Sequence, residues 1–151
     1  MIEKIKALAN EYKEEIINIR RHIHQHPELS FKEFETSKFI QEKLTSWGIE
    51  FDTGYVNTGI VAYIRGANPG SKVIALRADI DALPIQEENE FDFASVNSGV
   101  MHACGHDVHT SSLLGTIKIL NAVKTEFNGT VKCLFQPAEE NEGGGRVMIE
   151  E

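Results

Sequence analysis

The stretch DVHTSSLLGTIKILNAVKTEF at residues 107–127, followed by Gly129 and then TVKCLFQ at 130–136, decides the fold class. Leu113, Ile117, Leu120 and Val123 recur at intervals of three and four, the period of one helical face. Gly129 breaks that period. The TVKCLFQ segment is apolar on both faces, which suits a strand inside a sheet and not at its rim. Upstream, residues 49–53, 59–65 and 72–77 are short runs rich in branched or aromatic residues, separated by turn signals such as Gly54-Tyr55 and GANPG. Residues 68–71, NPGS, read as the turn between two of these strands.

Helices bracket the strands. From Ile2 to about Gln25, apolar residues fall at Ile5, Leu8, Ala9, Tyr12, Ile16, Ile19 and Ile23, and His26-Pro27 stops the helix. A second helix is predicted from about Lys32 to Trp47, with Phe34, Phe39, Ile40 and Leu44 on its buried side and Gly48 ending it. At the far end, Gly143-Gly144-Gly145 followed by RVMIEE reads as a flexible loop entering a helix. Helices around strands, with one helix joining two apolar strands, predict an α/β fold: a three-layer α/β/α sandwich with a mixed central sheet.

The chain has 151 residues, enough for one domain with a core and too few for two. A net charge of −8 argues against nucleic acid as a partner, which would want a basic patch. The N-terminus lacks the uninterrupted apolar region of a signal peptide, and runs such as Gly59–Ile64 and Val73–Leu76 are far too short to cross a membrane. Two cysteines, Cys104 and Cys133, without such a signal fit a reducing compartment, so a cytoplasmic location is expected.

Chemistry-bearing residues gather at two places. Cys104-x-His106 lies in a loop marked by Gly99 and Gly105, just before the helix, where a thiolate and an imidazole two residues apart reach a common point. Glu139-Glu140 follow the strand TVKCLFQ and Pro137. Adjacent residues leaving a strand point in opposite directions, so one carboxylate is free to bind a metal while its neighbour faces a substrate. Metal-assisted amide hydrolysis needs that division: a Lewis acid at the carbonyl, and an unligated carboxylate to move the proton from water to the leaving amine. Spacing alone leaves the alternatives open. Cys104 could be an ordinary buried cysteine, or a nucleophile with His106 or His109 as base. His102, His106 and His109 could be loop and cap residues, and Asp79 and Asp81 turn residues. His22, His24 and His26 are spread around a helix end by their spacing of two and read as structural. Cys133 reads as core packing.

Four segments together resemble the M20 metallopeptidase family: RRHIHQHPELSFKEFET (20–36), LRADIDALPIQE (76–87), GVMHACGHDVHTSSLLG (99–115) and LFQPAEENEGGG (134–145). The nearest branch is that of aminoacylase-like amidohydrolases, including hippurate hydrolases and N-acetyl-diaminopimelate deacetylases. The resemblance implies a hydrolase of N-acyl amino acids with two divalent metal ions, of manganese, zinc, nickel or cobalt. In it Cys104 matches the ligand that bridges both metals, His106 a ligand to one and Glu140 a ligand to the other. Glu139 matches the general base, and Asp79 a carboxylate that does not touch the metals but orients a ligand.

The same resemblance implies parts beyond these residues. Family members are more than twice as long, with two further histidine ligands and a smaller inserted domain that covers the site and mediates homodimers. The chain is therefore expected to be the N-terminal part of the catalytic domain. Its three matched ligands suffice for one well-held metal and not two, and its activity alone is in question: an inactive fragment or weak metal binder is the alternative.

Overall fold

The computed structural model describes residues 1–141 and 143–151. Helix α1 spans Ile2–Gln25 and α2 spans Phe34–Ser46. Strands β1 (Glu50–Tyr55), β2 (Gly59–Arg65) and β3 (Val73–Asp79) follow, then α3 (His106–Ala122), a single 3-10 turn at Lys124–Glu126, β4 (Thr130–Gln136) and α4 (Gly144–Glu150). The Ser71 N–H bonds the Asn68 carbonyl at 3.2 Å, closing the turn expected from NPGS.

The sheet has four strands in the order β1-β2-β4-β3. β1 with β2 and β2 with β4 are antiparallel, whereas β3 and β4 are parallel and joined through α3. A parallel pair needs such a crossover, which the helix supplies. β4 is interior, as its two apolar faces require. Ile60, Ala62 and Ile64 lie beside Phe135, Cys133 and Val131 and share one face, packed against Ile19 and Ile23 of α1, Ile40 and Leu44 of α2, and Leu114 and Ile117 of α3. On the other face Val61 and Leu134 meet Met148 of α4. The sandwich is thus three-layered, with α4 forming the thinner helical layer among the described residues.

Two details depart from expectation. Phe34, predicted to be buried, is 58% exposed. It begins α2, and at about 100° per residue it stands roughly 120° from Ile40, off the buried face that Thr36, Ser37, Ile40 and Leu44 share. Gly144 and Gly145 form a close-packed junction: Gly144 is buried, and a Cβ there would stand 2.0 Å from the Pro137 carbonyl oxygen.

The helix-end histidines are structural. His24 is buried with its Nδ1 2.8 Å from Asp107 Oδ2 and its Nε2 3.0 Å from Glu87 Oε1. It ties α1 to the first turn of α3 and to the 85–100 loop. His22 stacks on Phe39, and His26 Nδ1 meets the His22 carbonyl at 2.8 Å.

Candidate metal centre

Parallel strands β3 and β4 end side by side, with Asp79 registered against Gln136, and α3 starts just beyond them. Sites in α/β sheets form at this carboxyl end. Gly105, at φ 86°, caps α3 and lets the 99–105 loop turn directly into the helix, so that His106 is its first residue. Past β4, Ala138 takes φ 51°, which ends the strand alternation. As a result Glu139 and Glu140 do not face opposite ways. Both reach His106 Nε2: Glu140 Oε1 at 3.6 Å and Glu139 Oε2 at 3.9 Å.

Donor atoms of Cys104, His106 and Glu140 lie within 4.8 Å of one another. Glu140 Oε1 is buried and has no hydrogen-bond partner. A buried carboxylate oxygen left without a donor is costly unless something cationic is to occupy the space before it. The Cys104 thiol is exposed and faces the same acids: Glu140 first, then partial desolvation, then the charges of Glu140, Glu139 and Asp79 push its pKa up. A divalent cation reverses that effect. A thiolate, imidazole and carboxylate converging in this way fit a divalent metal ion.

Asp79 and Asp81 divide between the two sides of His106. Asp81, with no exposed surface, stands behind the ring: His106 Nδ1 is 2.9 Å from its carbonyl and 3.2 Å from its Oδ1. Its Oδ2 accepts the Ser30 hydroxyl at 2.6 Å and the Glu140 N–H at 3.0 Å. Burial would raise the Asp81 carboxyl, but the bonds from His106, Ser30 and the Glu140 and Glu139 backbone more than offset it and hold it at about 2. Burial lowers His106 and the bond to Asp81 and the charge of Asp79 raise it, for a net rise. Asp79 stands in front: its Oδ1 is 3.6 Å from His106 Nε2 and 2.6 Å from His109 Nδ1, and Arg77 reaches its Oδ2 at 3.1 Å. Of the two aspartates, Asp81 is the one bonded to His106 Nδ1, while Asp79 faces Nε2. Aspartates two apart at a strand end share a face, and that spacing was the available signal. Burial holds His102 at about 4, in its neutral form. Cys133 lies in the core, as expected.

A cysteine nucleophile fits poorly. An activated thiol has a lowered pKa and a basic partner, whereas Cys104 is raised by acids. Among the described residues no imidazole bonds to it, and His109 is held by Asp79.

Residues 75–151 match the sequence profile of Peptidase family M20/M25/M40. The chain is 52% identical over 149 residues to an N-acyl-L-amino acid amidohydrolase of Geobacillus stearothermophilus, covering 98% of this chain and 40% of that protein. It is 52% identical over 136 residues to an N-acetylcysteine deacetylase of Bacillus subtilis (strain 168), covering 89% of this chain and 36% of the relative. Among solved structures, a Bacillus subtilis protein described as a dinuclear metal binding peptidase of family M20 superposes with a TM-score of 0.87 at 50% identity, over 96% of this chain and 40% of that one. The chain thus spans about two fifths of the length of these relatives.

Proposed function

The chain belongs to Peptidase family M20/M25/M40, and from that premise we propose that it carries the metal-binding and proton-transfer residues of an amidohydrolase acting on N-acyl amino acids. The observation that carries this reading is the convergence of Cys104, His106 and Glu140 around a buried carboxylate oxygen without a partner. Those three residues would hold a divalent ion, of manganese, zinc, nickel or cobalt. When bound, such an ion supplies Lewis-acid polarisation of the scissile carbonyl.

The rest falls to side chains. Glu139 is the more exposed of the carboxylate pair and has no hydrogen-bond donor of its own among the described residues, its nearest basic groups being His106 Nε2 at 3.9 Å and Arg77 at 4.0 Å. It takes a proton from the attacking water as the water oxygen bonds to the carbonyl carbon. It returns that proton to the amide nitrogen as the C–N bond breaks, which releases a carboxylate and a free amine. Asp81 keeps His106 Nδ1 occupied, so that Nε2 is the nitrogen turned to the site. Hippurate-like and N-acetyl amino acids are the substrate class, supported by the names of the relatives.

The test is the Glu139→Gln variant, assayed with hippurate and N-acetyl amino acids under added manganese, nickel, cobalt or zinc. Hydrolysis should fall at least about a hundredfold, the usual scale of a lost acid–base group, with metal content unchanged by elemental analysis. Turnover equal to that of the parent removes Glu139 from the role of base.

A further inference from the structure

We propose that Glu33 is the positioning residue of the Glu139–Glu140 pair: it holds the backbone at Ala138 in a left-handed turn and so aims both carboxylates at His106. The inference rests on the metallohydrolase reading above. Glu33 has no exposed surface, yet no cation pairs with it among the described residues. Instead Glu33 Oε1 accepts the Ala138 N–H and the Phe31 N–H, each at 2.9 Å, and Oε2 accepts the Thr58 hydroxyl at 2.9 Å. One buried carboxylate thus joins the loop before α2, the β1–β2 turn and the loop after β4.

Each of those segments is strained in the same way. Among the described residues, the non-glycine residues at positive φ are Phe31 at 63°, Val56 at 50°, Asn57 at 69° and Ala138 at 51°. Every one of them donates to Glu33 or lies within two residues of a group that does. A side chain in this region persists only where its surroundings over-determine it, and Glu33 is the common partner. At Ala138 the grip is two-sided, because its carbonyl accepts the Gly144 N–H at 2.9 Å. Two residues on, the Glu140 N–H is taken by Asp81. The carboxylate pair is therefore suspended between two buried acids, one bonded to the residue before it and one to its second member.

The test compares the parent chain with Glu33→Met and Glu33→Gln, in two readouts. The first is amide hydrogen exchange at Ala138, measured without metal. The second is cobalt(II) affinity by titration. In Glu33→Met, Ala138 should lose protection while core amides of α3 and β4 keep theirs, and cobalt should bind about tenfold more weakly, the lower range for a lost supporting contact. Glu33→Gln should recover both: its carbonyl oxygen still serves Phe31 and Ala138, and its amide donates to the Thr58 oxygen. Should Glu33→Met fail to fold, Ala138→Gly in that background should restore folding and affinity, since glycine adopts positive φ without steric cost. Free exchange at Ala138 in the parent overturns the proposal, as does a Glu33→Met chain with parental protection and affinity, or a lack of recovery by Glu33→Gln and Ala138→Gly. If the parent binds no cobalt, the metallohydrolase reading fails by itself, and the dependence of Ala138 exchange on Glu33 still decides this one.

Discussion

Asp81 bonds to both halves of the centre. Through His106 Nδ1 it fixes the imidazole, and through the Glu140 N–H it fixes the chain that brings the carboxylate ligand. Asp81→Ala would leave the Ser30 hydroxyl and the Glu140 N–H without their acceptor, and His106 Nδ1 with the residue 81 carbonyl alone, at about 1–3 kcal/mol for an unsatisfied buried group. We expect a loss of roughly 3 kcal/mol by urea denaturation and a drop in metal affinity of about ten- to a hundredfold by titration. An unchanged affinity would mean that His106 needs no support. Glu33 makes a different demand. Burial raises its carboxyl pKa, and its hydrogen bonds to the Ala138 and Phe31 backbone and to Thr58 pull it back only in part. With the folded pKa above the unfolded one, the native state binds more protons, so this group's contribution to stability falls as pH rises above about 4.5. Relative to the parent, Glu33→Gln should therefore gain stability between pH 4 and pH 7, measured by denaturation with a chelator present. A difference that does not change with pH would contradict the sign.

Among the elements, the loop after β4 and the start of α4 act as one unit. Gly144 has the Pro137 carbonyl oxygen at 2.0 Å from where a Cβ would be, and backbone cannot retreat as a flexible side chain would. Gly144→Ala should push the 137–140 segment away from His106, weakening metal binding and lowering the melting temperature, whereas Gly70→Ala, with open space around it, should do neither. The bounds of β2 and β4 were legible in the sequence because both are interior strands whose apolar composition leaves few other readings. Phe34 was misread because hydrophobicity was weighed without its helical angle. The mutual placement of Glu139 and Glu140 was misread because strand alternation was carried past Gln136, and Ala138 gives no local hint of a positive φ. Glu33 was invisible for a related reason: a carboxylate that joins three loops looks, in sequence, like any glutamate before a helix.

For the molecule as a whole, the layer order was legible from one βαβ unit and two amphipathic helices, because burying their apolar faces admits few arrangements. The candidate ligands are legible in the motifs, and their convergence only in the fold. No described helix is long and apolar enough to cross a membrane. A metal that binds the proposed folded site and not the unfolded chain should, at a hundred times Kd, add about 2.7 kcal/mol of stability, read as a rise in melting temperature that a chelator reverses. On the reading proposed above, Cys104, His106 and Glu140 together hold a metal ion. Cobalt(II) titration followed by optical absorption tests it most directly, because a thiolate ligand adds a sulfur-to-metal charge-transfer band. The band should saturate at one tightly held cobalt per chain, survive Cys133→Ser, and vanish in Cys104→Ser. No band in the parent, or a band that persists in Cys104→Ser, would contradict the account.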